Sequence, residues 1–209
     1  MKTTFMLILT VSSALAGAEK FDKADGTSPK GWTSAVTGSG TAKWTVEKDD
    51  SAPSKPNVLK QSGEGTFPII LNDGSAVKNG FVEVKGKALE GKEDQAIGVI
   101  WRARDKDNYY VCRANALEGN VVLYKTVGGK RSPLDIVGRK GGYGVKTSVA
   151  PKHWHTLRVD FKGDTFTVTF DGKELFKVQD ATFADAGKVG LWTKADSVTV
   201  FDDFNCGGK

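Results

Sequence analysis

The chain has 209 residues, of which 39% are hydrophobic and 26% are charged, and its formal net charge at pH 7 is +5. This length is enough to bury the core of one domain. Lysines are spread along the whole chain beside Asp and Glu, as on an ordinary solvated surface. The charge pattern therefore argues against a basic nucleic-acid-binding arm, and nucleic acid is not a predicted partner.

The N-terminal segment has the layout of a secretory signal peptide. Lys2 precedes the apolar run Phe5–Leu15, and small residues continue to Ala18, so that cleavage fits after Ala18 or after Ala16. The run is too short to span a bilayer, and no cysteine follows the cleavage point to accept a lipid. We predict a signal peptide at 1–18 and a single domain at 19–209, exported to the periplasm or the extracellular space without membrane insertion.

Short strands are predicted throughout the first half of the chain after the signal peptide. Each run alternates or is rich in β-branched residues, and polar or proline-containing loops separate them. The predicted strands are Lys43–Glu47, Asn57–Gln61, Phe67–Leu71 and Gly80–Gly86.

A meander of three strands follows at Ala96–Val127. Ile97–Arg104 alternates with a period of two, which predicts a strand rather than a helix. Asp105–Asn108 is a turn of locally hydrogen-bonding side chains that returns the chain into the strand Tyr109–Ala114. A second turn leads to Val121–Val127, so the three strands are predicted to pair in sequence order.

Pairing Arg104 with Tyr109 divides the meander into two faces. One face is apolar and is predicted to belong to the core; it carries Val99, Trp101, Ala103, Tyr110, Cys112 and Ala114. The other face is basic and aromatic; it carries Arg102, Arg104, Tyr109, Arg113 and Tyr124 around Ile100, Val111 and Val122. We predict that the second face binds a ligand. A structural ladder of ion pairs to neighbouring strands is the alternative for its arginines.

The last third of the chain begins with a long excursion and then returns to strands. Gly128–Gly144 contains two Gly-Gly pairs and a proline, and long loops of this kind often shape a site. The predicted strands that follow are His155–Phe161, Phe166–Phe170, Leu175–Val178, Val189–Lys194 and Ser197–Phe204. About a dozen short strands without a sustained 3.6-residue period predict an all-β antiparallel sandwich.

The two cysteines allow opposite interpretations. Cys112 falls on the apolar face of a strand, where an unpaired cysteine packs as a small hydrophobic residue. Cys206 lies near the C-terminus, and an exported chain reaches a compartment in which disulfides persist. A Cys112–Cys206 disulfide and two free thiols are therefore both open. Neither cysteine has another Cys or a His at ligand spacing, so no metal site is predicted.

The order of the motifs resembles that of bacterial laminin-G-like domains of the concanavalin A-like lectin/glucanase superfamily. The resemblance extends over nearly the whole chain after residue 18. It implies a two-sheet jelly roll whose concave face often holds sugar, and its members include lectins, adhesion modules and glycosidases. The motifs are Gly31-Trp32, Trp44-Thr-Val-Glu, WRARDKDNYYVCRAN from Trp101, Trp154-His-Thr-Leu-Arg-Val, Phe170-Asp-Gly and Phe201-Asp-Asp-Phe.

Within that superfamily the chain is similar to the 3-keto-disaccharide hydrolase-like family. That family usually carries Gly-x-Ile-Gly-Leu-Gln-x-His near its end, followed by Phe-Arg-Asn. At the matching positions this chain has Trp192 for Gln, Lys194 for His and Asp202 for Arg. The three replacements argue against transferring that family's chemistry to this chain.

No catalytic constellation is visible in the strands. A retaining glycosidase needs two carboxylates about 5 Å apart, which on one strand means acids two positions apart. Asp202 and Asp203 are adjacent, so they are predicted to point to opposite faces. His153 and His155 flank Trp154 without a nucleophile motif nearby. No catalytic residue and no cofactor is therefore predicted.

Three functions are open on these grounds. A non-catalytic carbohydrate-binding domain is favoured, with Trp192 at the rim of the site formed by Arg102, Arg104, Tyr109, Arg113 and Tyr124. Its ligand would be an oligo- or polysaccharide, and guanidinium groups suit an acidic one better than a neutral one. The alternatives are a hydrolase acting on glycosides or 3-keto-disaccharides, and a structural protein of the cell envelope.

Overall fold

The computed structural model describes residues 19–21 and 26–208. The predicted signal peptide, 1–18, lies outside the described residues. Fifteen strands within the described part form two antiparallel sheets, one of eight strands and one of seven. The antiparallel two-sheet jelly-roll sandwich predicted from the sequence is confirmed. In these residues no helix is long and apolar enough to cross a membrane.

The strands do not follow chain order within either sheet. The eight-stranded sheet runs β1 (Trp32–Gly40), β4 (Gly65–Asn72), β14 (Lys188–Trp192), β6 (Ala96–Asp105), β7 (Asn108–Asn115), β8 (Asn120–Val127) and β10 (Val145–Lys146), with β9 (Lys130–Pro133) also paired to β8. The seven-stranded sheet runs β13 (Lys173–Gln179), β12 (Thr165–Phe170), β11 (His155–Lys162), β5 (Gly80–Glu90), β15 (Val198–Gly208), β3 (Asn57–Gln61) and β2 (Trp44–Lys48).

The main core lies between the two sheets and takes one face of each. Trp101 on β6 is at its centre, stacked on Tyr110 at 5.4 Å and on Phe161 of the opposite sheet at 6.0 Å between ring centroids. Inward-facing side chains alternate with outward-facing ones along the strands, as the period-two pattern predicts. The eight-stranded sheet therefore has a second face, directed away from the core, on which a site can be built.

The β6–β7 pairing contains a bulge that changes one predicted face. Asp105 lies opposite Asn108, as the predicted turn requires, but Trp101 lies opposite Tyr110. Three residues of β6 therefore face a single residue of β7. Arg102 takes a left-handed conformation with φ 49°, which turns its side chain to the same side as that of Trp101. Gly187 lies against the bulge, where a Cβ would come within 2.5 Å of the Arg102 carbonyl carbon.

Both cysteines are free thiols in the structure. Cys112 is fully buried on β7, and Cys206 on β15 is partly buried against the same core from the other sheet. Burial raises the pKa of both thiols. Of the two alternatives left open by the sequence, the structure has the unpaired one, and the raised pKa values describe unreactive, packed thiols.

Candidate functional site

The candidate site lies on the face of the eight-stranded sheet that points away from the core. We call this surface the outer aromatic face. Its buried members pack with one another and form a cluster separate from the main core: Phe67, Ile69, Leu71, Ala96, Ile100, Ala103, Tyr109, Val111, Val122, Tyr124 and Trp192. The eight-stranded sheet thus carries a second apolar layer, on the side that the other sheet does not cover.

Trp192 ends β14 within this face. Its ring stacks on that of Phe67 with 5.3 Å between the centroids. The indole also covers Gly98 on the neighbouring strand, where a Cβ would lie 3.0 Å from the Trp192 Cβ and Cε3 atoms. Glycine at position 98 is therefore what lets the indole approach the sheet so closely. The alternation predicted the face of Trp192 correctly, but Trp192 is fully buried within this face and does not form an exposed rim of the site.

Tyr109 and Tyr124 also lie on the outer aromatic face, as the sequence predicted. The Tyr109 hydroxyl forms a 2.8 Å hydrogen bond with the hydroxyl of Thr37. Burial raises the pKa of both phenols, although for Tyr124 the charge of Arg113 opposes the shift. Both phenols therefore stay neutral near neutral pH and can donate or accept hydrogen bonds.

Arg113 occupies one end of the face, which we call the polar end. Its side chain is fully buried, and it donates to the Glu118 carboxylate at 2.7 Å and to the Tyr124 and Tyr143 hydroxyls at 3.1 Å each. Burial alone would lower the pKa of Arg113, but Tyr124 and Glu118 raise it overall. The charge is thus fixed in place. Tyr143 is 45% exposed and gives the polar end an opening to solvent.

A second charged pair completes the polar end. Asp94 is fully buried; it accepts hydrogen bonds from Lys194 and from the amide of Asn115, both at 2.6 Å. Burial raises the pKa of Asp94, although Lys194 opposes the shift. For Glu118, burial would also raise the pKa, but the hydrogen bond from Arg113 lowers it overall.

The two carboxylates of the polar end share one amide group. The Asn115 amide nitrogen lies 2.6 Å from an oxygen of Asp94 and 3.5 Å from an oxygen of Glu118, so these oxygens are at most about 6 Å apart. Pairs of acids two positions apart on one strand are what the sequence can show, whereas Asp94 precedes β6 and Glu118 lies in the β7–β8 turn. No regular spacing in the sequence marks such a pair.

Arg131 lies over three rings of the outer aromatic face. Its guanidinium carbon is 4.2 Å from the ring centroid of Tyr124, 4.7 Å from that of Phe67 and 5.3 Å from that of Trp192. It is absent from the predicted site because β9 falls within the predicted excursion. A Gly-Gly pair directly after an alternating strand is a hairpin signal, and applying it would have placed Arg131 beside β8.

Two of the predicted ligand-binding residues do not belong to the outer aromatic face. Arg102 is buried on the core side of the bulge, and its guanidinium donates only to the backbone carbonyls of Lys78, Gly163 and Phe183. Arg104 is 51% exposed and pairs with Asp185 at 3.7 Å. The prediction that these two arginines line one surface with Arg113 is wrong, because the bulge rotates the strand between them.

The bulge also places Ala103 on the opposite face of the sheet from the predicted one. It was predicted on the core face beside Trp101, but it packs in the outer aromatic face. Of the remaining predicted ligand-binding residues, Tyr109, Arg113, Tyr124 and Trp192 share that face. Their role in binding stays a prediction.

The acids and histidines singled out in the sequence are engaged elsewhere. Asp202 is fully buried and accepts two hydrogen bonds from Ser54, at 2.6 and 2.7 Å, which hold the loop before β3. His155 bonds the Asp171 carboxylate at 2.7 Å and the carbonyl of Ala150 at 3.0 Å. Both groups therefore hold loops against the seven-stranded sheet.

Comparisons with known proteins agree with this architecture. Residues 21–205 match the family model described as the 3-keto-alpha-glucoside-1,2-lyase-like domain. A search of curated proteins found no match. Among solved structures, the chain is similar to the carbohydrate-binding module CBM66 of Bacillus subtilis, with a TM-score of 0.67 and 19% identity over 89% of this chain and 99% of that one. It is also similar to the Bacillus licheniformis β-glucanase, with a TM-score of 0.59 and 11% identity over 93% of this chain and 99% of that one.

Proposed function

Because the chain belongs to the family of 3-keto-alpha-glucoside-1,2-lyase-like domains, we propose that it binds an oligo- or polysaccharide on the outer aromatic face. The family description and the names of the two similar proteins all concern carbohydrates. At these identities the solved structures support the fold alone. The site therefore has to be argued from its own residues.

The observation that carries the proposal is the second buried layer on a sheet face that the other sheet does not cover. Aromatic rings and polar groups converge there: Trp192 and Phe67 stack on each other, while Arg113, Asp94 and Asn115 lie at the polar end. Sugar binding requires both kinds of contact, since C–H surfaces pack on rings and hydroxyls need donors and acceptors. The exposed ring of Tyr143 opens the polar end to solvent, so a sugar can reach the charged groups there.

A binding titration with a substitution at the opening of the polar end tests the proposal. Tyr143→Ala removes a 45% exposed ring whose hydroxyl accepts from Arg113. Val137→Ala is the matched control, since Val137 is 52% exposed. We expect the purified protein to bind glycans of a glycan array. In titrations with a retained oligosaccharide, Tyr143→Ala should weaken binding about five- to tenfold, close to the 0.5–1.5 kcal/mol of an aromatic contact, and the control should not.

Two outcomes would contradict this function. If the protein retains no glycan of the array, the carbohydrate proposal fails, and a structural role in the envelope becomes the better explanation. If a glycan binds but both variants bind it as the parent does, the polar end is not part of the site.

A second candidate function is cleavage of a glycoside, and the acid pair at the polar end favours it. The pKa of Asp94 is raised and that of Glu118 is lowered, and such opposed shifts separate a general acid from a general base. Their oxygens, at most about 6 Å apart, are within the range of carboxylate pairs in glycosidases. Binding remains the first proposal because Asp94 is fully buried and already engaged by Lys194 and Asn115.

Product analysis separates the two functions. The protein is incubated with the glycans it binds and with 3-keto-glucosides, and released sugars are measured for the parent and for Glu118→Gln. Binding alone predicts no release above the uncatalysed rate. Turnover that falls at least a hundredfold in Glu118→Gln would establish the second function, since acid–base groups contribute about 10²–10⁴-fold to rate.

We also propose that the protein is exported, because the apolar run before Ala18 has the pattern of a cleaved signal. The intact mass of the protein from the producing cells should correspond to a chain that starts after residue 18 or two residues earlier. A mass that retains the apolar run would contradict export by this route.

A further inference from the structure

Arg131 is held on the outer aromatic face by its place in the sheet. It lies opposite Thr126 on β8, and directly opposed residues of an antiparallel pair share a face. Its guanidinium carbon is within 5.3 Å of the ring centroids of Tyr124, Phe67 and Trp192. Three rings thus fix the position of one cation above the face, and they do so without taking up its hydrogen bonds.

The hydrogen-bonding capacity of this face is not filled by the protein. Among the described residues, the Nη1 atom of Arg131 is buried without an acceptor, and so is the Nε atom of Arg113. Both guanidinium carbons contact the same Tyr124 ring, at 4.2 and 5.8 Å from its centroid, so they lie at most about 10 Å apart. Nearly all buried donors in proteins have a partner, so these two guanidinium groups have hydrogen-bonding capacity that an added acceptor can fill.

Among the charged groups of the face that the structure describes, one cation has no carboxylate partner. Lys194 neutralises Asp94 at 2.6 Å, and Glu118 neutralises Arg113 at 2.7 Å. In the part of the chain that the structure describes, no carboxylate lies within ion-pair distance of Arg131. The missing partner of the face is therefore an anion that accepts hydrogen bonds.

We propose that Arg131, with the rings of Phe67, Tyr124 and Trp192, forms a subsite for an anionic group, so that the carbohydrate bound here carries a carboxylate or a sulfate. This inference rests on the proposed function and specifies its ligand. A guanidinium presents two parallel N–H groups that match the oxygens of either anion, and the buried rings beneath it hold it in place. A neutral sugar would leave the charge of Arg131 unpaired.

Matched pairs of glycans that differ only in charge test the subsite. An oligogalacturonate is compared with its methyl ester, and a sulfated galactan oligosaccharide with its unsulfated form, by calorimetry at 50 mM salt. We expect at least one charged member to bind ten times more tightly than its neutral counterpart. The pair that shows the preference tells whether the group is a carboxylate or a sulfate. Raising the salt to 500 mM should reduce the preference, because the Debye length is then well below 10 Å.

Two substitutions connect the preference to Arg131. Arg131→Gln should reduce the charged-to-neutral ratio to within twofold. Arg104→Gln is the matched control: it removes an exposed arginine that lies away from the face, and it should keep the ratio of the parent. Arg131→Lys keeps the charge without the fork, so it should retain part of the preference and shows that the strand is still folded.

The outcomes distinguish this inference from the function on which it rests. If neutral and charged members of both pairs bind equally, or if Arg131→Gln keeps the preference, the anionic subsite is wrong and carbohydrate binding stands. If neither member of either pair binds and no glycan of the array is retained, the proposed function itself has failed.

Discussion

Arg102 and Arg131 are both held against aromatic rings, yet their surroundings differ in one decisive way. Arg102 lies between the sheets with its guanidinium carbon 5.7 Å from the Phe161 ring and 5.6 Å from the Phe166 ring. Its guanidinium donates four hydrogen bonds to the backbone carbonyls of three separate loops. Arg131 contacts three rings on the outer aromatic face and has a buried N–H without an acceptor.

Whether an arginine is structural or available to a ligand therefore depends on its hydrogen-bond and ion-pair partners, rather than on its residue type or its aromatic contacts. Arg158 on the outer face of the seven-stranded sheet supports this. It lies 4.0 Å from the Phe81 ring centroid, and it also pairs with Asp160 at 2.6 Å and with Glu83 at 3.4 Å. Its charge is satisfied by one carboxylate on its own strand and one on the neighbouring strand, as in an ordinary sheet surface. Arg102 and Arg158 therefore stabilise the fold, whereas Arg131 has no carboxylate partner among the described residues.

The largest effect is expected from removing Arg102. Arg102→Gln loses most of the four hydrogen bonds and leaves buried carbonyls of Lys78, Gly163 and Phe183 without donors. Hydrogen bonds to charged groups contribute about 1.5–3 kcal/mol each, so we expect the free energy of unfolding to fall by about 3–5 kcal/mol. Denaturant titration of the parent and the variant measures the change. A fall of less than about 1 kcal/mol in the free energy of unfolding would show that Arg102 does not stabilise the fold in this way.

An intermediate effect is expected next to Arg102, at Asp180. This carboxylate accepts from Lys125 at 2.8 Å and from the Tyr110 hydroxyl at 2.6 Å, and that hydroxyl in turn accepts from the backbone N–H of Phe183. Burial would raise the pKa of Asp180, but hydrogen bonds from Lys125, Thr182 and Tyr110 lower it to about 2.

A lowered pKa gives stability that is present above the unfolded pKa and lost as the pH falls through the folded one. At pH 7, Asp180→Asn should therefore cost about 2 kcal/mol of unfolding free energy, and the difference from the parent should shrink between about pH 4 and pH 2. Unfolding titrations across this range check the sign. A difference that stays constant with pH would mean that the carboxylate charge does not contribute.

The smallest effect on stability is expected at Arg131, in contrast to Arg102. Arg131→Gln removes a partly exposed cation that makes no ion pair among the described residues but lies over three rings, so the free energy of unfolding should fall by only about 1 kcal/mol. Thermal unfolding of this variant beside Arg102→Gln shows both effects under one condition. If Arg131→Gln destabilises as much as Arg102→Gln, Arg131 belongs to the scaffold.

The sequence predicted the sandwich and most of the facial alternation because both depend on local patterns. Val99, Trp101, Tyr110 and Cys112 face the core as predicted, since side-chain period and strand pairing are properties of neighbouring residues. The turn at Asp105–Asn108 was also predicted correctly. These features follow from the chain itself, before any long-range packing is known.

The bulge at Arg102 could not be predicted in the same way. No glycine marks it, and an arginine with positive φ is uncommon, so the strand pattern simply continues through the site. Its position is set by the close approach of Gly187 and by carbonyls from three loops, all distant in sequence. Glu118 and Asp94 were missed for a related reason, because turns and loops bring them together.

The most direct test of carbohydrate binding on the outer aromatic face is a crystal structure of the protein with the tightest-binding oligosaccharide of the array. We predict sugar density on the outer aromatic face, with an anionic oxygen within about 3 Å of the Arg131 guanidinium, as for charge-assisted hydrogen bonds. An oligosaccharide bound only to the outer face of the seven-stranded sheet, where Arg158 is already paired, would contradict the central claim.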